Sequence, residues 1–234
     1  MKTFKHSGDI GDIIFSLPTI RALGGGKLYL DPKGGESSPY VKWMHKTRTK
    51  LNLRTIESLK PILEIQPYIE SVEFWEGQEV DYDLDEFRRN IKFNNLSDSH
   101  LECFKLPKSH RDEAWITGLD PIVLDKKIVI SRSPRVHGNH EFWESTLPQI
   151  KDRCVFVGFE KEHEIVEYTF DVKIEHYKTN TILELARVIA GCEEFYGNQS
   201  FAHSLAEGMK KNIIHECYRV YPAAIFERPG AKYV

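Results

Sequence analysis

The chain of 234 residues carries 32 Lys and Arg against 35 Asp and Glu, a net charge of −3, with 41% hydrophobic and 29% charged residues. This is the composition of an ordinary soluble globular protein, long enough for one large domain or for two of about 100–120 residues that each bury a core. No apolar run approaches the roughly 20 residues that span a bilayer, and the opening MKTFKHSGDIGD has no apolar signal-peptide core, so a cytoplasmic protein is expected. The segments before and after the Lys126/Lys127 junction carry −2 and −1; neither is a basic module of the kind that holds nucleic acid by its phosphates, although a local basic groove stays open. Cys103, Cys154, Cys192 and Cys217 form no C-x-x-C pair, which argues against a zinc knuckle or a disulfide framework and for reduced, buried thiols.

In chain order, residues 2–5 predict a short strand, followed by a Gly-rich turn and a helix from about Asp12 to Leu23. Pro18 inside that helix removes the bond to the Ile14 carbonyl and predicts a kink or a short helix. Residues 27–30 predict a second strand. From Asp31 to Asn95 the pattern degrades: GGESSP reads as a loop, SLKPILEIQPYI as a broken helix and SVEFWEG as an alternating strand. Asp81, Asp83 and Asp85 alternate in VDYDLDEF, which predicts a solvated edge, with a cleft-facing strand end as the alternative. Residues 107–124 read as linker and turn, so the predicted domains are 1–124 and 125–234.

The second half is more regular. KIVIS (127–131), CVFVGF (154–159), EFYG (194–197) and NIIHEC (212–217) predict strands. Between them, residues 181–190 place Ile182, Leu185, Ala186 and Ile189 on one helix face, with Asn180 or Thr179 as the expected N-cap. Residues 200–210 repeat the pattern with Phe201, Leu205 and Met209. Strands alternating with helices of this length imply crossover units and a parallel sheet.

His6-Ser7-Gly8-Asp9-Ile10-Gly11-Asp12 joins the first strand to the first helix. Its glycines allow a sharp turn and close approach of a ligand to the main chain. Asp12 then stands at the start of a helix, at the carboxyl end of a parallel strand, where open α/β sheets bind ligands. Local chemistry leaves two roles open, a helix cap and a proton acceptor for a hydroxyl. The run lacks the G-x-G-x-x-G spacing, and its acids stand where a pyrophosphate needs amides. His137 and His140 beside Glu141, and His163 among Glu160, Glu162 and Glu164, lack the H-E-x-x-H frame, so no metal site is expected.

The run Gly11-Asp12-Ile13-Ile14-Phe15-Ser16-Leu17-Pro18 resembles the G-D-x-x-x-x-L-P opening of the ADP-heptose:lipopolysaccharide heptosyltransferases of glycosyltransferase family nine. KIVISRSPR at 127–135, VFVGFEKEHE at 155–164 and residues 183–208 resemble the family's second domain in the same order, whereas residues 31–126 match nothing familiar. The resemblance implies a GT-B architecture, two Rossmann-like domains with parallel sheets facing a cleft, the first domain reduced. It implies transfer of a sugar from a nucleotide-diphosphate sugar to an acceptor hydroxyl, inverting and metal-independent, with the nucleotide-sugar as co-substrate and no other cofactor. Carried over by position, Asp12 matches the general base, and His6, Asp9 and Gly11 fall on the acceptor side. Arg132, Ser133, Arg135, Gly197, Asn198, Gln199, Ser200, Phe201, His203 and Glu207 fall on the donor side. Arg132 and Arg135 supply cations for the leaving diphosphate, the helix opened by Ser200 supplies amides, and Glu207 farther along that helix is open to two readings, an acid for ribose hydroxyls as in nucleotide sites or a solvated helix face.

One departure is plain: relatives carry an Asp-(Ser/Thr)-Gly turn and then a His, whereas this chain has Gln199-Ser200-Phe201 with its His at 203. A non-catalytic module that binds a nucleotide or sugar is therefore the second reading. The near-neutral charge favours a carbohydrate or small-molecule acceptor; a modified nucleic-acid base or a protein stays open as an alternative acceptor.

Overall fold

The structure is a computed structural model, and it describes residues 1–34, 51–90, 95–218 and 222–234. The loop expected at GGESSP lies, beyond Gly34, outside the described residues. The chain divides into two compact units, Met1–Gly118 and Leu119–Val234.

In the first unit the order is β1 (Lys2–His6), α1 (Ile10–Ala22), β2 (Gly26–Leu30), α2 (Leu53–Glu64), β3 (Ile69–Phe74), β4 (Tyr82–Asp83), a 3₁₀ helix (Leu84–Asn90) and α3 (Leu96–Cys103). The strands form one parallel sheet in the order β3-β2-β1-β4. Helix α1 starts two residues earlier than expected and continues past Pro18, because Ile13, Ile14, Leu17 and Ile20 are buried along its length and packing outweighs the one missing bond. The Ser97 hydroxyl donates to the Phe15 carbonyl at 2.8 Å, beside the place where the proline removes a donor. The broken helix expected over residues 58–69 is likewise a regular helix to Glu64 that passes through Pro61. It is capped by Asn52, whose Oδ1 accepts from Thr55, and it buries Ile56, Leu59, Ile62 and Leu63 on one stripe.

The alternating acids of VDYDLDEF do fall at a sheet edge, on and beside β4, with Asp81 exposed and Asp83 partly exposed, but they are paired there. β4 pairs in parallel with β1 in the register Phe4 with Tyr82 and Lys5 with Asp83. Asp81 accepts from Thr3, and Asp83 and Asp85 accept from Lys5. Two strands that each alternate with period two thus match acid to base across the ladder. Residues 107–118 are packed onto this unit: Trp115 is fully buried, its carbonyl accepts from Tyr68, and Arg21 donates to the carbonyls of His110 and Ala114.

In the second unit the order is β5 (Ile128–Ser131), α4 (His140–Ile150), β6 (Cys154–Phe156), α5 (Glu160–Phe170), β7 (Glu175–His176), α6 (Ile182–Gly191), β8 (Glu194–Asn198), α7 (Phe201–Gly208), β9 (Asn212–Glu216) and β10 (Ala231–Tyr233). All six strands are parallel, in the order β10-β9-β8-β5-β6-β7. Ile128, Ile130 and Phe156 of the sheet meet Trp143 and Leu147 of α4 and Val166 of α5 in one buried cluster. Thr181, not Asn180 or Thr179, caps α6 by accepting from Glu184 N–H; Asn180 instead donates to the Glu184 carboxylate.

Each sheet changes direction once. The chain winds outward from β1 through β2 to β3 and then places β4 on the other side of β1; from β5 it winds through β6 to β7 and then places β8 on the other side of β5. The points between β1 and β4, and between β5 and β8, are topological switch points, beyond whose strand ends open α/β sheets take ligands. Among the described residues no helix is long and apolar enough to cross a membrane.

Candidate functional sites at the two switch points

The first switch point gathers the His6–Asp12 turn. Asp9 is the N-cap of α1 by backbone conformation but makes no side-chain capping bond, so Asp12 is not the cap; it stands in the first helical turn, with Gly11 half-buried beside it. Asp12 Oδ2 lies 3.4 Å from Arg88 Nη2, and its side chain is 18% exposed. Asp85 organises the rest: it accepts from Ser7 N–H at 3.2 Å and Lys5 Nζ at 3.1 Å, and its Oδ1 lies 3.6 Å from Arg88 Nε. Burial works against the Asp85 charge, but His6 and the hydrogen bonds from Ser7 and Lys5 outweigh it and hold its carboxyl below the usual range.

His6 has no exposed surface. Its Nδ1 accepts from Gly8 N–H at 2.8 Å, a bond only an unprotonated nitrogen can accept, and burial pushes its pKa down to about 4 despite Asp85. Its ring lies against Phe87 and His100, whose own rings stack at 3.9 Å. His6, expected on the acceptor side, is a packed side chain beneath the turn. Gly8 is fixed by contact, since a Cβ there would stand 2.5 Å from His6 Cε1, 2.6 Å from Arg88 Nη2 and 3.0 Å from Asp12 Cβ.

The second switch point joins the loop after β5 to the turn after β8. Asn198, fully buried, accepts from Ser133 N–H and donates to the carbonyls of Ser133 and Arg135, so it clamps one to the other. Gly197 lets β5 and β8 approach, because a Cβ would meet the Ser131 carbonyl at 2.6 Å. The Ser200 hydroxyl accepts from His203 N–H at 3.2 Å and caps α7, which leaves the amides of Phe201 and Ala202 at the positive end of the helix. Arg135, Gln199, Ser200 and Phe201 are all half-buried there.

Three donor-side expectations change character. Arg132 is 3% exposed and gives Nε and Nη2 to Glu216 at 2.8 and 3.1 Å, so it braces the fold, whereas Arg135 of the same loop is half-buried. His203 is fully buried, with its ring 4.0 Å from that of His215. Glu207 has no exposed surface and is held by Arg228 and Lys210, which occupies the carboxylate expected for ribose. All three lie one layer behind the turn.

Sequence reasoning missed Asp85 as an organiser, and it missed Arg88 and Glu216 altogether. The matched period-two runs of β1 and β4 were the available signal for Asp85; nothing local marks the other two. His137 Nε2 bonds the Ser133 carbonyl and His163 Nε2 the Ile174 carbonyl. Among the described residues no group of three or more His, Cys, Asp or Glu is placed to hold a metal ion.

No protein-family model and no curated protein matches the chain. Solved structures do. E. coli heptosyltransferase WaaC with ADP aligns with a TM-score of 0.62 at 13% identity, over 99% of this chain and 92% of that one. The family 9 glycosyl transferase from Veillonella parvula aligns at 0.60 and 12%, over 99% and 86%. The iron-containing dodecameric glycosyltransferase TibC from enterotoxigenic E. coli aligns at 0.59 and 11%, over 98% and 61%. At these identities the likeness shows the fold. It is the GT-B fold, shared with the heptosyltransferases that the Gly11–Pro18 run resembles.

Proposed function

We propose that the chain is a glycosyltransferase that moves a sugar from a nucleotide-diphosphate sugar to an acceptor hydroxyl. The observation that carries the reading is that the family-like motifs fall on the two switch points, a carboxylate at one and an amide-rich, capped helix start with Arg135 at the other. In this reading Asp12 takes the proton of the acceptor hydroxyl as its oxygen attacks the anomeric carbon. The bond from that carbon to the diphosphate breaks, and the departing charge is met by Arg135 and by the amides of Phe201 and Ala202. Attack opposite the leaving group inverts the anomeric centre, and these groups supply positive potential without a metal. ADP-heptose is the first donor to test, because WaaC was solved with ADP-2-deoxy-2-fluoro heptose. The acceptor is proposed to be a carbohydrate or small molecule.

The test is release of ADP from ADP-heptose, with a panel of carbohydrate acceptors supplied, by the wild type and by Asp12→Asn, with ADP-heptose binding measured by calorimetry on both. Loss of a general base lowers turnover by about 10²–10⁴-fold while binding persists. A folded Asp12→Asn protein with near-normal turnover would remove the base assignment. Donor binding without any ADP release from the wild type would support the binding-module reading instead.

A further inference from the structure

The charged groups around Asp12 form a chain. Lys5 and the Ser7 amide fix the Asp85 carboxylate from β1. Asp85 lies 3.6 Å from Arg88 Nε, one turn away in the same 3₁₀ helix. The far end of that guanidinium, Nη2, lies 3.4 Å from Asp12 Oδ2. Arg88 therefore spans the switch point from the β4 side to the helix that follows β1. Gly8 opens its path, since a Cβ there would stand 2.6 Å from Nη2. We propose that Arg88 is the positioning residue of Asp12, a guanidinium anchored at one end by Asp85 that holds one Asp12 oxygen in place and keeps the carboxylate charged. The inference rests on the glycosyltransferase reading for its catalytic meaning, but the Arg88–Asp12 pairing stands on geometry alone.

Arginine suits this task in two ways. Its planar fork carries donors at both ends, so one side chain can address two carboxylates. It also stays protonated at any working pH, so it cannot compete with Asp12 for the acceptor's proton. Lysine would keep the charge but present a single point. Both side chains are partly exposed, Arg88 at 31% and Asp12 at 18%. Among the described residues the cluster also holds Asp9 at the start of α1, Lys5 and His6 of β1, Asp85 of the 3₁₀ helix and His100 of α3.

Two variants of the full chain, Arg88→Ala and Arg88→Lys, test the inference by two independent readouts. The first is carbon-13 NMR titration of the Asp12 carboxyl, assigned through Asp12→Asn. Removal of a cation this close moves the titration midpoint up by about one unit in Arg88→Ala, and Arg88→Lys restores most of it. The second is the pH profile of ADP release from ADP-heptose. Its acid limb moves up with the titration in Arg88→Ala, and kcat falls by about 10- to 100-fold while KM holds. A residue with a merely structural role would lower the melting temperature and leave both midpoints where they are. An Asp12 titration unchanged in Arg88→Ala would overturn the inference, as would an unaltered kcat and pH profile. If the wild type releases no ADP, the glycosyltransferase reading falls, and the carboxyl titration still decides whether Arg88 governs Asp12.

Discussion

Glu216 accepts five hydrogen bonds, from Arg132 Nε and Nη2, the amides of Gly138 and Asn139, and Trp143 Nε1, and it has no exposed surface. Burial penalises its charge, but Arg132 beside it and the hydrogen bonds hold its carboxyl below the usual range. The Arg132 guanidinium also lies over the Trp143 and Phe170 rings. Such a pair is costly to break one-sidedly, because the remaining charge is left without a partner away from water. Glu216→Gln is expected to cost about 3–5 kcal/mol in urea unfolding, and a second change, Arg132→Met, should recover part of it. An unchanged urea midpoint in Glu216→Gln would show that the pair does not brace the fold. Gly8→Ala tests the other site at the same scale. Arg88 can swing aside, but the buried His6 ring has nowhere to go, so a loss of about 1–3 kcal/mol is expected from overpacking. Hydrogen exchange at the Ser7 and Gly8 amides should locate the damage in this turn.

Helix α7 shows how one element serves stability and ligand at once. Its cap, Ser200, satisfies the His203 amide, and the amides of Phe201 and Ala202 stand ahead of it in the first turn. Ser200→Ala is expected to cost about 1 kcal/mol in thermal unfolding. Ser200→Asp separates the two roles: aspartate caps as well as serine, yet it sets a negative charge where a diphosphate would lie. The expected outcome is a near-wild-type melting temperature together with weakened ADP binding by calorimetry; undiminished ADP affinity would move the anion site elsewhere. Elements of this kind were legible in the sequence because their signals are local. The stripe of Ile182, Leu185, Ala186 and Ile189 and the β-branched runs at 127–131 and 212–217 announce helices and strands by period alone. The two-residue strand β7 carries too little pattern to be seen. Helices α1 and α2 run through Pro18 and Pro61 because burial, nearly all round α1 and along one stripe of α2, outweighs a single missing backbone bond. The Arg132–Glu216 pair, 84 residues apart, has no local signature, so a buried brace and a ligand-binding cation look alike until the strands are placed side by side. Asp12 was found by its motif; its partner Arg88 lies 76 residues on, in a stretch that resembles nothing familiar.

Across the whole molecule the buried titratable groups set the response to acid. Burial pushes His6 and His215 down to about 4, and holds His100 and His203 well below the ordinary histidine value. Between pH 4 and 6.5 the unfolded chain binds protons at these sites and the folded chain does not, so stability rises with pH through that window and is lost as pH falls. His6 and His215 each contribute about 3 kcal/mol at most by this route. Glu162 works in the opposite sense: burial raises it to about 7 against the bond from Phe159 N–H, so over pH 4.5–7 the folded state binds the extra proton and stability falls as pH rises. Two histidines alone outweigh this one carboxyl, and Glu216 and Asp85, held below their ordinary range, add a further loss at lower pH still as they protonate. The melting temperature should therefore be higher at pH 7 than at pH 5, and Glu162→Gln should steepen the fall by removing the compensation. The two units differ in this respect. His6 and His100 belong to Met1–Gly118, whereas Glu162 lies in Leu119–Val234, so the second unit alone carries the compensating carboxyl. Hydrogen exchange at pH 5 should then show protection lost first in β1 and α3, beneath the Asp12 turn; earlier loss in β9 and α7 would mean that the second unit is the more acid-sensitive despite Glu162.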